Sequence, residues 1–210
     1  MVTTSTQDRS RIDEFLPNHD VSARYEIRIN APASVAYQCL LRSDFSELWL
    51  LRLLMSIRSG KWLPRSRVPT DLRQRLQGSG FVILAEVLNE EIVIGIAGRF
   101  WRPDGGRCKE LTAKDFAGFC RSGFGKAAWN FKLRVESPRS TFLSTETRIK
   151  CYGSAVWKFR LYWILVGPFS GLTRKAILKQ VKTVAESQAN QSDGVLRGHG
   201  LHPRCGSHCS

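Results

Sequence analysis

"KFRLYWILVGPFSGLTRKAILK", residues 158–179, is the stretch on which the reading of this chain turns. Its middle, Leu161 to Thr173, runs for thirteen residues without a charge. A membrane-spanning helix needs about 20 apolar residues, so the length favours a buried helix over an anchor. The helical pattern starts at Ser154, a candidate N-cap, and runs to about Ser187. Trp157, Leu161, Ile164 and Leu165 recur at i, i+4, i+7 and i+8. Farther on, Ile177, Val181 and Val184 form an apolar stripe, while Lys175, Lys179 and Lys182 form a basic one facing elsewhere. The quoted stretch is therefore the centre of one long amphipathic helix. Gly167-Pro168 is expected to kink or split it, because proline inside a regular helix costs about 3 kcal/mol.

Upstream of this helix the periodicity is that of strands. In "KAAWNFKLRVE" (126–136), Trp129, Phe131, Leu133 and Val135 share one face, and Asn130, Lys132, Arg134 and Glu136 the other. After the "SPRS" turn, "TFLSTETRIKCY" (141–152) places Leu143, Thr145, Thr147, Ile149 and Cys151 together, opposite Ser144, Glu146, Arg148 and Lys150. "GFVILAEVL" (80–88) and "EEIVIGIAGRFW" (90–101) read as a hairpin turning at Leu88-Asn89-Glu90. "RPDGG" is a turn, "RCKEL" (107–111) a candidate returning strand, and "TAKDFAGFC" (112–120) a short helix capped by Thr112. Nearer the start, "SARYEIRIN" (22–30) alternates as a half-buried strand, "SVAYQCLLRSDF" is a short helix, and "SELWLLRLLMSIRSG" (46–60) a second helix ended by Gly60. The basic, proline-bearing stretch over 58–79 reads as a loop with one helical turn near "DLRQRLQ". Loops of that length are often functional.

The totals narrow the function classes. A chain of 210 residues, 42% of them hydrophobic, can bury the core of one domain. The first residues are polar, which does not resemble a secretory signal. Cys39, Cys108, Cys120 and Cys151 are scattered singly in apolar surroundings, the pattern of reduced cysteines in a cytoplasmic protein. The net charge is +14; residues 1–20 carry −2 and 188–210 carry +1, so 21–187 carries +15. A basic domain favours anionic partners. The densest basic stretch, with Arg58, Lys61, Arg65, Arg67, Arg73 and Arg75, is a candidate contact with an anionic membrane surface, Trp62 and Leu63 dipping in beside the arginines. A nucleic-acid reader usually adds exposed aromatics, and only Trp62 qualifies there, so nucleic acid is disfavoured. A solvated basic surface without a partner accounts for the charge equally well.

The order is strand, two helices, antiparallel strands and a long C-terminal helix. It resembles the START-like superfamily of helix-grip folds (SRPBCC), specifically an uncharacterised bacterial branch. "YEIRINAPASVAYQCL" (25–40) is similar to that superfamily's opening, and "AGRFWRP" (97–103), "KAAWNF", "STETRI" and "FRLYWILVGPFSGLTRKAIL" (159–178) to pieces of the branch. The resemblance implies an α+β fold in which a curved antiparallel sheet wraps around a long, kinked C-terminal helix. The domain spans 21–187, between a flexible lead (1–20) and a disordered tail (188–210). It implies a cavity for an apolar or amphiphilic small molecule between sheet and helix, in a carrier or sensor rather than an enzyme.

On that fold the cavity is lined by Tyr25, Ile27, Phe81, Ile83, Trp129, Phe131, Leu133, Thr145, Thr147, Trp157, Leu161 and Leu165. Its mouth is bordered by Trp62, Arg99 and Gly167-Pro168. Hydroxyls at Tyr25, Thr145 and Thr147, with Asn130 the least secure, would orient a ligand in an otherwise greasy lining. A filled core needs the same residues. A cyclase or dehydratase of the same superfamily would require Glu146, Asp44 or Arg99 inside the pocket. Strand parity instead puts Glu146 on the outer face beside Arg148. Arg99 and Arg102 are read first as partners of Asp104 and Glu110, and Lys126 as solvent-facing. His19 precedes the first strand and the other histidines lie in the tail. There His199, His202, Cys205, His208 and Cys209 are metal-ligand types at no regular zinc spacing. No metal or cofactor is expected.

Overall fold

The computed structural model describes residues 10–43, 72–76, 80–102, 106–108 and 111–198, apart from the side chains of Arg75, Leu165 and 193–198. Strands β1 (Val21–Ile29), β2 (Val82–Val87), β3 (Glu91–Gly98), β4 (Gly125–Ser137) and β5 (Ser140–Cys151) form one antiparallel sheet in the order β1-β5-β4-β3-β2. The two long strands pair as their parity requires, with Trp129 opposite Thr147, Phe131 opposite Thr145 and Leu133 opposite Leu143. Val21, Ala23, Tyr25, Ile27 and Ile29 of β1 turn inward, while Ser22, Arg24, Glu26 and Arg28 are exposed. The β2–β3 turn holds Asn89 at φ +62°, a left-handed conformation that asparagine tolerates better than most residues. The expected helices appear as α2 (Ala33–Arg42), α3 (Leu72–Leu76) and α4 (Ala113–Gly118). Thr112 caps α4, its hydroxyl accepting from the Asp115 amide. The second helix expected over 46–60 lies outside the described residues.

Helix α5 (Ala155–Gly198) crosses the inner face of the sheet. This is the helix-grip arrangement expected from the sequence. Leu178, Val181 and Ala185 are buried against the sheet and α2. Burying a leucine or valine side chain contributes roughly 1.5–3 kcal/mol. Ahead of them Ala155 and Phe159 pack with Phe100, Ile149 and Cys151. Phe159 stacks on Trp163 at 5.5 Å and meets Phe100 edge-on at 6.4 Å.

The structure corrects the sequence reading in several places. Of the kink or split expected at Pro168, the split does not occur: α5 runs through it, with Pro168 on the exposed side. The missing amide frees the carbonyl of Ile164, whose side chain is 77% exposed, where water can satisfy it. The helix also continues through Gly198 instead of giving way to a disordered tail near Ser187. The buried stripe is Leu178, Val181 and Ala185, and Val184 is exposed, so the expected phase was displaced by one residue. Arg107 and Cys108 form no strand, although the Cys108 amide donates to the Ala97 carbonyl.

Residues 10–20 are not a loose lead. They cross the outer face of the sheet through α1 (Ile12–Phe15), where Ile12 and Leu16 are buried with Leu84, Val93, Phe116 and Ala128. The sheet is therefore covered on both faces at β3, all of whose residues are buried. Gly95 permits this closeness, since a Cβ there would sit 2.8 Å from both Leu84 and Phe116.

Candidate functional site

Among the described residues, the charged groups buried or half-buried on the outer face at Glu91, Lys126, Glu146 and Arg148 are partnered. Glu91 accepts from the Ser10 hydroxyl (2.5 Å), the Arg11 amide (3.0 Å) and Asn130 Nδ2 (2.5 Å). Asn130 Oδ1 in turn accepts from the Glu146 amide. Arg148 lies between Glu146 and Asp13, at 2.6 Å from each. Lys126 is buried, not solvent-facing. Its ammonium donates to the carbonyls of Phe116 (3.0 Å) and Ala117 (2.8 Å) at the end of α4, where a cation suits the exposed carbonyls. Burial lowers its pKa. Glu146 therefore has the outward ion pair that parity predicted.

On the inner face Glu86 is a carboxylate that the sequence reading overlooked. The β2 bulge between Ile83 and Ala85 shifts parity and places it beside Ile92. Both its oxygens are engaged, one by the Tyr37 hydroxyl (2.5 Å) and Arg73, the other by Arg73 Nε (3.1 Å). This pairing also occupies Arg73, one of the arginines offered as a membrane contact. Arg58, Lys61, Trp62, Arg65 and Arg67 lie outside the described residues, as does the side chain of Arg75.

Arg174 is different. It precedes the basic stripe of Lys175, Lys179 and Lys182, yet it sits one turn before Leu178 on the buried stripe. It reaches the seam between α5 and strands β1 and β5. Its Nε donates to Thr147 Oγ1 (2.9 Å) and its Nη1 to Ser170 Oγ (2.5 Å). Among the described residues no carboxylate pairs with it. Burial lowers its pKa, opposed by Tyr25. A guanidinium carries five N–H donors, and two are used here. Above it α5 comes close to β1: a Cβ on Gly171 would lie 2.5 Å from the Tyr25 hydroxyl. The Lys175 ammonium lies 5.3 Å from the centre of the Tyr25 ring. The spacing of Arg174, Leu178, Val181 and Ala185 at i, i+4, i+7 and i+11 was the signal that could have found it.

Of the residues expected to line a cavity, the structure gathers most in one layer. Phe131 and Leu133 are buried; Tyr25, Ile27, Phe81, Ile83 and Trp129 are half-buried around that core. Phe81 meets Trp129 edge-on at 5.1 Å. Thr145 is buried, but its hydroxyl donates to the Asn130 carbonyl, so Thr147 and Tyr25 are the hydroxyls left at the seam. Asn130 belongs to the outer network. Trp157 and Leu161 do not line this layer: they are 61% and 68% exposed on the outer side of α5. The first turns of the helix point their Phe159 side inward instead.

Two open pockets lie elsewhere. One of about 790 Å³, with mixed charge, runs beside α1 and the β2–β3 hairpin and reaches Leu133. The other, about 540 Å³, is lined by Arg99, Trp101, Arg102, Trp157 and Lys158. Arg99 lies over the Phe124 ring at 4.5 Å. Gly167 and Pro168 line neither pocket. Among the described residues no cluster of His, Cys, Asp and Glu could hold a metal. No helix there is long and apolar enough to cross a membrane.

No family model matches the chain, and no curated protein matches it by sequence. Among solved structures it is similar to a hypothetical protein of Helicobacter pylori, at 9% identity and a TM-score of 0.42, over 88% of this chain and 99% of that one. It is also similar to an uncharacterised protein of Rhizobium leguminosarum, at 12% identity and TM-score 0.35, over 80% and 95% of the two chains. A Thermus thermophilus protein matches at 9% identity and TM-score 0.33, over 80% and 99%.

Proposed function

We propose that the protein binds an amphiphilic small molecule with an acidic head, non-covalently, where α5 crosses the inner face of the sheet. The observation that carries this reading is Arg174, a guanidinium drawn into the helix–sheet seam with hydroxyl partners and, among the described residues, no carboxylate. Removing a charge from water without compensation is costly, and an acidic ligand group would supply the missing partner through bidentate hydrogen bonds. Thr147 and Tyr25 flank the head, and the half-buried Ile27, Ile83, Phe81 and Trp129 offer an apolar surface for the tail. The sheet, the grip of α5 and the strand–Ala-Pro–helix opening support membership of the START-like superfamily, in a carrier or sensor role. A cyclase or dehydratase draws no support from Glu86, whose oxygens are both engaged, or from Glu146 on the outer face.

Native mass spectrometry of protein purified from cells tests the reading. A co-purifying acidic amphiphile is the expected result. A clean apo mass, with no thermal shift from a panel of hydrophobic acids, would overturn it.

A further inference from the structure

Over residues 155–185, α5 contains Lys158, Arg160, Arg174, Lys175, Lys179 and Lys182 and no acidic residue. Its first half also leaves large apolar side chains in solvent. Trp157, Leu161, Ile164 and Leu172 are all more than half exposed, Ile164 reaching 77%. At 3.6 residues per turn these four, with the exposed Pro168, fall in an arc about 80° wide and about 22 Å long. Phe169, also exposed, borders the arc. Lys158 and Arg160 are exposed, one on each side of it, and Lys175 and Lys179 are exposed beyond its end. At its start Trp157 and Lys158 enter the pocket lined also by Arg99, and the charged residues among its described lining are cations.

An apolar stripe bordered by cations is the surface that settles onto an anionic bilayer, burying side chains among acyl chains while lysine and arginine meet phosphates. The same cations would repel a second copy of this face. We infer that the outer side of the first half of α5 is a docking surface for anionic phospholipid. Its apolar stripe enters the interface, and the pocket beside Arg99 and Lys158 receives a phosphate-bearing headgroup. The helix lies on the membrane and does not cross it. This surface is opposite in orientation to the Arg174 seam and stands without any ligand there.

The test is co-sedimentation of the full chain with vesicles of phosphatidylcholine, alone or mixed with phosphatidylglycerol. Binding should require the anionic lipid, weaken with salt, and shift Trp157 fluorescence. Ile164→Glu and Leu161→Glu, at exposed positions where folding has little to lose, should each weaken binding about tenfold or more; circular dichroism checks that they fold. Lys158→Gln should weaken it less and flatten the salt dependence. Three results would overturn the inference: no sedimentation with anionic vesicles, undiminished sedimentation of both glutamate variants, or a dimer in solution that Ile164→Glu dissociates. An acidic protein as the true occupant would appear as the first of these.

Discussion

The outer face of the sheet and the α5 seam on its inner face treat charge differently. On the outer face Arg148 has Glu146 and Asp13, Glu91 has Asn130, Ser10 and the Arg11 amide, and Lys126 has the carbonyls ending α4. Every one of these groups is answered from within the chain. In the seam on the inner face, Arg174 is answered among the described residues by the hydroxyls of Thr147 and Ser170. A charge that serves the fold carries its counter-charge or a full set of hydrogen bonds, since breaking a buried pair costs several kcal/mol. Among the described residues Arg174 lacks that completion, and this difference is the ground on which we propose that it serves a ligand.

The comparison breaks first at Arg148. Arg148→Ala leaves the half-buried Glu146 without its partner and should cost about 3 kcal/mol in urea unfolding. A loss near zero would mean that the outer network is not structural. The seam's closeness is tested next at Gly171. Gly171→Ala gains about 1 kcal/mol of helix propensity but drives a methyl into the Tyr25 hydroxyl, a clash worth roughly 1–3 kcal/mol. Net destabilisation is expected, and it should reverse to a gain of about 1 kcal/mol in a Tyr25→Phe background.

A smaller effect belongs to Asp20, which ties the start of β1 to the end of β5. It accepts from Lys150 Nζ at 2.7 Å and from the Cys151 amide at 2.8 Å. Burial pushes its pKa up, but the hydrogen bonds from Lys150 and Cys151 outweigh burial and hold it below its ordinary 3.8. A carboxyl lowered by folding stabilises the protein above its unfolded pKa, and that contribution fades as pH falls through the lowered value. Asp20→Asn should therefore cost about 1 kcal/mol at neutral pH. Thermal unfolding at decreasing pH should show the difference from wild type closing below 3.8. A difference that stays constant through that range would refute the assignment. The neighbouring Cys151 thiol, pushed up to about 12 chiefly by burial, does not titrate in this window.

The same contrast explains what the sequence made legible. Period-two alternation in 126–136 and 141–152 fixed both long strands and their facing, because each strand has one face toward the core. It could not show that the other face is also covered. That depends on α1 arriving from a polar stretch whose few apolar residues, Ile12 and Leu16, give a weak local signal. For the same reason Lys126 read as a surface residue. In α5 the apolar residues are so many that either of two stripes could face the sheet. Trp157, Leu161 and Ile164 form the better amphipathic stripe and yet face outward. Glu86 escaped notice because a bulge changes parity in a way that composition does not reveal. Arg174 escaped because lysines surround it on neighbouring positions, although its spacing with Leu178 and Val181 marked it as inward.

The smallest expected change in stability carries the sharpest test. Arg174→Met keeps the length and apolar stem of the side chain and removes its charge, so stability should be unchanged or slightly raised. The deciding measurement is the thermal shift of wild type and this variant with a medium-chain fatty acid and with its methyl ester. The account predicts that the acid stabilises the wild type, the ester does not, and the variant responds to neither. Equal stabilisation of the variant by the acid, or a large loss of stability without any ligand, would contradict it.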